Sequence, residues 1–281
     1  MRKLNSAPEL LRSITSPDPM IVAALLVLPA ANLLCTSGSI WSATRRFGRV
    51  GFFEMVGLIG SASLLNYLPM RAGLIGRLAY HKKINTIDVA RAGAATLIQL
   101  VFSGVGLVVA LVAAMLPHEA VGIVLGGLST LLLVSACGLS WKTTQRNTQT
   151  LSLSASLVLT ALWRTLDMLV WVVRYALALK LVGMDATWLA AVALATVSQV
   201  GMLLSIVGNG LGVREWLVGL TTKGLAGNVG RTSTSNSDPL AVGLLTDLVN
   251  RVAELVFIVP VGIMCSFWVA RRVRSHTATH E

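Results

Sequence analysis

The sequence predicts an all-α integral membrane protein with about five full spans and two re-entrant helical hairpins, arranged as an inverted-topology repeat. Three observations lead to this prediction: the composition, a series of long apolar runs, and two apolar stretches interrupted by proline or glycine. Of the 281 residues, 54% are hydrophobic and 12% are charged, about half the charged share of soluble domains. A soluble domain of this composition would expose large aggregating patches, so the soluble globular class is excluded.

Five apolar runs are long enough to cross a bilayer, which requires about 20 apolar helical residues. We interpret the first run as a retained span and not a cleaved signal, because no convincing small-residue cleavage site follows it. The five runs are residues 20–41, 92–116, 121–139, 153–181 and 240–270.

Two further apolar stretches, residues 52–68 and 188–207, end at helix-breaking sequences. The first leads into Pro69-Met70-Arg71-Ala72-Gly73 and the basic segment 74–83, and the second into Gly208-Asn209-Gly210-Leu211-Gly212 and the segment 213–225. Broken backbone at membrane depth is tolerated only where it faces protein or a wet cavity. Both stretches therefore predict re-entrant hairpins, in which one half-helix enters and a second returns.

The distribution of Lys and Arg supports this arrangement, because short cytoplasmic loops are enriched in positive charge. If both stretches are hairpins, all four basic groups near the spans fall on one side of the membrane. A rival topology makes residues 52–68 a full crossing and places the N-terminus inside, and both remain open at this point. The four groups are Arg45, Arg46 and Arg49; Arg71, Arg77, Lys82, Lys83 and Arg91; Lys142 and Arg146; and Arg271, Arg272 and Arg274.

The two broken stretches align with each other when Gly73 is placed opposite Gly212. This alignment predicts one transmembrane domain over residues 1–281, with repeat one at about 19–116, a linking span at about 121–139 and repeat two at about 152–271. An odd number of spans separates the copies, so they are inverted in the membrane. Inverted repeats with broken helices are typical of secondary transporters and flippases, although glycine breaks also serve simply to pack helices closely.

Two motifs at these breaks resemble the lysylphosphatidylglycerol-synthase transmembrane region, a flippase-like family of membrane proteins. The first motif is Asn66-Tyr67-Leu68-Pro69-Met70-Arg71-Ala72-Gly73 with Arg77 following, and the second is Gly210-Leu211-Gly212-Val213-Arg214-Glu215. The resemblance implies a lipid translocase or a partner of a lipid-modifying enzyme. Leu74 and Gln99 depart from the family pattern, since acidic or acidic–basic residues are usual there.

Arginines at the breaks are the strongest candidates for binding an anion. Free backbone N–H groups and the positive end of a half-helix favour an anion there, and arginine adds a planar fork suited to phosphate oxygens. We expect Arg71 and Arg214 to lie beside water and to clamp the two sides of one phosphate. The predicted substrate-binding residues are Asn66, Pro69, Arg71, Gly73, Arg77, Asn209, Gly210, Gly212, Arg214 and Glu215.

Ionisable residues inside predicted spans are costly and are candidates for function by default. Arg164 and Asp167 are three residues apart and are expected to pair, whereas Arg174 has no partner nearby in sequence. Asp247, Arg251 and Glu254 form one charged stripe. These groups form either structural ion pairs or a headgroup and proton pathway, and both interpretations stay open.

Glu54 lies at the start of the first predicted hairpin and is expected to balance either Arg71 or Arg77. The sequence does not distinguish between these two partners.

These features predict a multi-pass protein of the cell membrane that moves or binds a lipid with an anionic phosphate headgroup, either a phospholipid or a polyprenyl-phosphate-linked lipid. The alternative is a non-transporting scaffold or partner of a lipid- or glycan-modifying enzyme. Because no nucleophile elbow, P-loop or metal motif occurs, we expect no enzyme activity, cofactor or metal. Nucleic acid is not an expected partner, because the basic residues flank spans and form no separate domain.

Overall fold

The structure, a computed structural model, describes residues 18–68, 72–114, 150–184, 187–204, 212–225 and 238–278. Over these ranges all regular secondary structure is α-helical. The helices are α1 (Pro19–Thr44), α2 (Phe52–Leu65), α3 (Ala72–Ile84), α4 (Val89–Ala114), α5 (Leu153–Leu181), α6 (Trp188–Leu204), α7 (Val213–Gly224) and α8 (Pro239–Ala278).

Polar residues define where several helices begin. Asp18 accepts a hydrogen bond from the Met20 amide at 2.9 Å at the start of α1, and Ser152 accepts one from the Ala155 amide at 3.3 Å at the start of α5. These side chains satisfy backbone donors that have no partner within the helix. The first turn of each long helix is thereby closed without a water molecule.

Four of these helices, α1, α4, α5 and α8, are long and apolar enough to cross a membrane. Four of the five runs predicted as spans thus form helices of sufficient length and apolarity, and the fifth run, at 121–139, lies outside the described residues. Apolar side chains remain exposed at helical spacing along α4 and α8, as expected for surfaces that face lipid. The exposed residues include Leu97, Val101, Val105, Val108 and Val112 on α4 and Val252, Val256, Val259, Ile263 and Phe267 on α8.

Helices α2 and α3 form an antiparallel pair. At one end, Tyr80 of α3 donates a hydrogen bond to Glu54 of α2 at 3.0 Å. At the other end, Gly73 lies so close to α2 that a Cβ atom there would approach the Ala62 carbonyl oxygen to 2.1 Å. The chain therefore leaves this helix pair at the end where it entered.

Helices α6 and α7 form a second packed pair. A Cβ atom on Gly201 of α6 would lie 3.0 Å from the Cα atom of Arg214, the second residue of α7. Gly212 caps α7 with a φ of +87°, a conformation that suits glycine, and its amide donates to Glu215 at 2.6 Å. The glycine and the acid together set the direction in which α7 leaves the turn.

Small residues bring α1 and α5 into close contact. Gly38 packs directly against the ring of Trp163, which a Cβ atom at that position would approach to 2.4 Å. Beside it, Ser156 of α5 donates to the Ser42 carbonyl at 2.9 Å. Close approach of small residues with hydrogen bonds across the interface is the usual way in which helices associate in lipid.

In the described residues the apolar core has two large clusters, both of which contact α8, and a small third cluster of Leu25, Ala178 and Ala253. One large cluster surrounds Trp171 and Tyr175 of α5 and includes Val242 near the start of α8. The other surrounds Met55 of α2, and Phe257 near the middle of α8 packs against it. Members of both large clusters line a cavity.

Candidate functional site

A cavity of about 240 Å³ lies at the centre of the described helices. Its wall combines apolar side chains with a larger number of polar ones than a membrane protein core normally holds. The polar and charged lining residues come from α1, α2 with the turn after it, α4, α5, α6 and α8: Asn32, Thr36, Ser63, Asn66, Tyr67, Gln99, Ser103, Arg164, Asp167, Arg174, Gln199 and Glu254.

Asp167 is tightly held at one side of the cavity. Arg164 Nη1 lies 2.7 Å from Asp167 Oδ2, which confirms that these two residues pair along one face of α5. Asn32 of α1 donates to Asp167 Oδ1 at 2.8 Å, and Thr36 lies at 3.4 Å. These contacts hold the Arg164–Asp167 pair at the cavity wall.

Arg174 is buried deeper on the same helix, with 1% of its side chain exposed. Its guanidinium donates to Asn32 Oδ1 and Asn250 Oδ1, both at 2.9 Å, and its Cζ lies 4.2 Å from the centre of the Trp171 ring. Its Nη2 is 3.5 Å from Glu254. The hydrogen-bond and ion-pair partners of Arg174 therefore come from α1 and α8 and not from α5.

Arg214 is fully buried, and its Nε donates to Asp247 Oδ1 at 2.9 Å. Tyr175 donates a hydrogen bond to the same oxygen. The expectation that Arg214 lies beside water is therefore wrong. The physical reason is that α7 starts against Gly201, so the second residue of α7 faces α5 and α8 and not the break.

Each of the three charged residues in the stripe on α8 pairs with a residue of another helix. Asp247 pairs with Arg214, and Glu254 lies near both Arg174 and Arg214. Arg251 Nε lies 3.0 Å from Glu215 Oε1, so Glu215 serves both this pair and the cap of α7.

The first motif is divided between the cavity and the α2–α3 contact. Asn66 lines the cavity, and its Oδ1 is buried without a hydrogen-bond partner among the described residues. Gly73 lies against α2, and Arg77 is buried, with Nη2 donating to Thr96 of α4 at 2.6 Å. The remaining predicted binding residues, Pro69, Arg71, Asn209 and Gly210, lie outside the described residues.

Glu54 does not pair with Arg77. Its Oε2 lies 3.2 Å from Arg272 near the end of α8, and its Oε1 accepts from Tyr80 and Asn85, each at 3.0 Å. Sequence reasoning did not consider a partner so distant along the chain. The result is a polar contact that joins α2, α3 and α8 at the end of the molecule away from the cavity.

Sequence reasoning missed Asn32, Trp171 and Tyr175 as parts of the site. Asn32 had a detectable signal, because it is the only amide in the apolar run 20–41. Trp171 and Tyr175 flank Arg174 at a spacing of three and one, which places all three on adjacent positions of α5. Aromatic residues in an apolar span carry no signal of their own.

In the part of the chain that the structure describes, no group of three or more His, Cys, Asp or Glu residues is arranged to hold a metal ion. The acids at the cavity are instead engaged by arginine, which suits the site to an anion that competes for the same donors.

Comparison with protein-family models, curated proteins and solved structures gave no match. The resemblance carried by the two motifs therefore stays a prediction.

Proposed function

We propose that this membrane protein binds the anionic phosphate headgroup of a lipid in the central cavity and moves it across the bilayer. Cargo of this kind includes phospholipids and polyprenyl-phosphate-linked lipids. The observation that carries the proposal is a polar cavity, among membrane-spanning helices, whose wall includes Arg164 and Arg174. Arginine forks at a site shielded from water give strong, charge-assisted hydrogen bonds to phosphate oxygens.

The cavity volume supports a headgroup and not a whole lipid as the occupant. A volume of about 240 Å³ is below the roughly 300–1,000 Å³ of sites that enclose a drug-sized molecule. Acyl or polyprenyl chains would therefore stay in the bilayer while the headgroup enters. The exposed apolar residues of α4 and α8 offer a surface for such chains.

The length of α2 supports a re-entrant hairpin. Helix α2 has 14 residues and ends in the turn at 66–68. At a rise of about 1.5 Å per residue it spans about 21 Å, less than the roughly 30 Å hydrocarbon core. Both helix pairs also contribute to the cavity wall, through Asn66 after α2 and Gln199 on α6.

Contacts at the helix ends support an arrangement in which the α2–α3 pair and the α6–α7 pair enter the molecule from opposite ends. An inverted repeat requires this arrangement. The Leu151 amide donates to the Arg45 carbonyl at 3.2 Å, so α5 begins beside the end of α1, just before α2. Helix α5 has 29 residues and reaches the opposite end of the molecule, where α6 begins seven residues later. Entry from both sides towards one site is the arrangement expected for alternating access.

A transport assay tests the proposal. Purified full-length protein is reconstituted into phosphatidylcholine vesicles that contain either a fluorescent phosphatidylglycerol or a fluorescent polyprenyl phosphate, and translocation is followed by quenching of outer-leaflet fluorescence. We expect faster translocation than in protein-free vesicles for at least one lipid. Folded protein that accelerates neither lipid would contradict the proposal.

A matched pair of arginine variants locates the activity. Arg164→Ala removes a guanidinium at the cavity wall and should lower the translocation rate by about tenfold, the size of one charge-assisted hydrogen bond of about 1.5–3 kcal/mol. Arg91→Ala is the control, because Arg91 is exposed and lies 3.8 Å from an equally exposed Asp88. Equal rates in both variants would place the binding site elsewhere.

The alternative, a non-transporting scaffold for a lipid- or glycan-modifying enzyme, gives a different result. It predicts no translocation of either lipid together with stoichiometric co-purification of such an enzyme.

A further inference from the structure

The acid at the cavity wall that is held most weakly is Glu254. One of its oxygens, Oε2, lies 3.5 Å from Arg174 Nη2 and 3.6 Å from Arg214 Nη1. Both guanidinium groups are buried, whereas 16% of the Glu254 side chain is exposed. Glu254 thus stands between two arginines at the cavity wall, in the position that an anion would take.

Two other acids of the region, Asp167 and Asp247, are bound much more closely. Asp167 has donors at 2.7 and 2.8 Å, and Asp247 has Arg214 at 2.9 Å in addition to Tyr175. Contacts at distances of 3.5 Å or more contribute far less than hydrogen bonds at these distances. Of these three acids, Glu254 is therefore the one whose displacement breaks the weakest contacts.

The charges of the described residues around the cavity are balanced. Adding a monoanionic phosphodiester would leave one uncompensated negative charge, which is costly in a low-dielectric interior. The balanced set consists of Arg164, Arg174, Arg214 and Arg251 with Asp167, Glu215, Asp247 and Glu254.

We propose that Glu254 takes up one proton when a phosphate headgroup binds, so that lipid binding is coupled to proton binding. The inference rests on the proposed function and names its coupling ion. One proton from water adds to a Glu254 oxygen and gives a neutral carboxylic acid. Arg174 and Arg214 then direct their Nη donors to the phosphate oxygens, and the site remains electrically neutral.

Glu254 is surrounded by arginine on the helices packed against α8. Arg174 and Tyr175 face this region from α5, and Arg214 faces it from α7, while Asp247 and Arg251 are its neighbours on α8 itself. The remaining polar groups at the cavity wall, in the described ranges, are Arg164 and Asp167 from α5 and the uncharged Asn32, Thr36, Ser63, Asn66, Tyr67, Gln99, Ser103 and Gln199. Among these groups, Arg174 and Arg214 lie within 3.6 Å of the Glu254 carboxylate.

Calorimetry of lipid binding tests the coupling. Dioctanoyl phosphatidylglycerol, a monoanion, is titrated into the purified full-length protein in detergent, in two buffers of different ionisation enthalpy. The difference in heat gives the number of protons taken up for each lipid bound. We expect about one proton for the wild type, and a dissociation constant that rises by up to tenfold for each pH unit.

Glu254→Gln imitates the protonated acid and should bind the lipid with no proton uptake and little dependence on pH. Asp88→Asn is the control for loss of a carboxylate, because Asp88 is exposed and outside the cavity. It should behave as the wild type does.

The outcomes separate the two proposals. Binding by the wild type without proton uptake, or equal uptake in Glu254→Gln, would overturn the coupling and leave the headgroup site in place. If neither dioctanoyl phosphatidylglycerol nor geranyl phosphate binds the wild type, the proposed function fails and the coupling fails with it. Should Glu254→Gln not fold, the proton count of the wild type alone decides.

Discussion

Arg214 and Asp247 show how strongly a single residue depends on its partner in this interior. Both side chains are fully buried, and Arg214 Nη2 lies 2.9 Å from Asp247 Oδ1. Removing one member of a buried ion pair leaves the other charge without compensation, which costs about 3–5 kcal/mol. Arg214 therefore contributes to the stability of the fold whatever its part in lipid binding.

We predict that Arg214→Ala lowers the free energy of unfolding by about 3–5 kcal/mol, measured by denaturant unfolding in detergent. Replacing both residues, as in Arg214→Met with Asp247→Leu, should recover a large part of that loss because neither charge remains. Arg91→Ala provides the control at an exposed position. If Arg214→Ala unfolded at the same denaturant concentration as the wild type, the remaining Asp247 carboxylate would have to be solvated by water, which would contradict the burial of this pair.

Asn32 joins the two halves of the charged region through one side-chain amide. Its Nδ2 donates to Asp167 at 2.8 Å, and its Oδ1 accepts from Arg174 at 2.9 Å. A side-chain amide donates from its nitrogen and accepts at its oxygen. It lets an acid and an arginine that lie about two turns apart on α5 share a partner from α1.

At the scale of elements, the contact between α7 and α8 depends on two glycines. A Cβ atom on Gly243 would lie 2.8 Å from the Cα atom of Gly219, which is backbone and cannot rotate away. The helices approach each other at this point because neither side chain is present. This close approach holds Arg214 of α7 within reach of Asp247 of α8.

We predict that Gly243→Ala destabilises the protein by about 1–3 kcal/mol, since the added methyl group must push two helices apart. Gly104→Ala in α4 is the matched control, because a Cβ atom there would meet nothing within 4 Å. At that position alanine should stabilise the helix by about 0.5–1 kcal/mol. Thermal unfolding of both variants in the same detergent measures the difference, and equal melting temperatures would argue against the close packing.

Element boundaries were predictable where the apolar pattern was long. The run 153–181 matches α5 at both ends, while α8 continues to Ala278, well past the predicted residue 270. The continuation carries Arg271, Arg272 and Arg274, whose charges end an apolar pattern without ending a helix. The partners of the buried charges were not predictable, because the Arg174–Glu254 and Glu54–Arg272 pairs depend on how distant helices pack.

For the whole molecule, the described contacts gather basic residues at one end. Glu54 bonds to Tyr80, Asn85 and Arg272, which brings together the start of α2, the end of α3 and the last turns of α8. Lys82 and Arg274 are exposed in this region. Because short cytoplasmic loops are enriched in positive charge, we expect this end to face the cytoplasm.

We predict that cysteines introduced by Lys82→Cys and Ser275→Cys react with an impermeant maleimide only after cells are made permeable, in a chain that lacks its native cysteines. Thr187→Cys, exposed at the start of α6, should react in intact cells because it lies at the opposite end. Opposite labelling of Lys82→Cys and Ser275→Cys would contradict the placement of these two residues at one end of the molecule.

The pair between Arg174 and Glu254 has a further consequence for how the chain is made. Eighty residues separate the two, so at about 5–20 residues per second Arg174 is synthesised roughly 4–16 s before its acid. During this interval α5 must enter the bilayer carrying an arginine whose insertion costs about 2.5–3.5 kcal/mol. Of the contacts described above, Asn32 and Trp171 are then already made, whereas Asn250 and Glu254 are not. We therefore expect nascent chains that stop after α5 to hold this helix in the membrane less often than full-length chains in a glycosylation-mapping assay, and Arg174→Leu to remove the difference. Insertion of α5 would then be complete only after α8 has been synthesised.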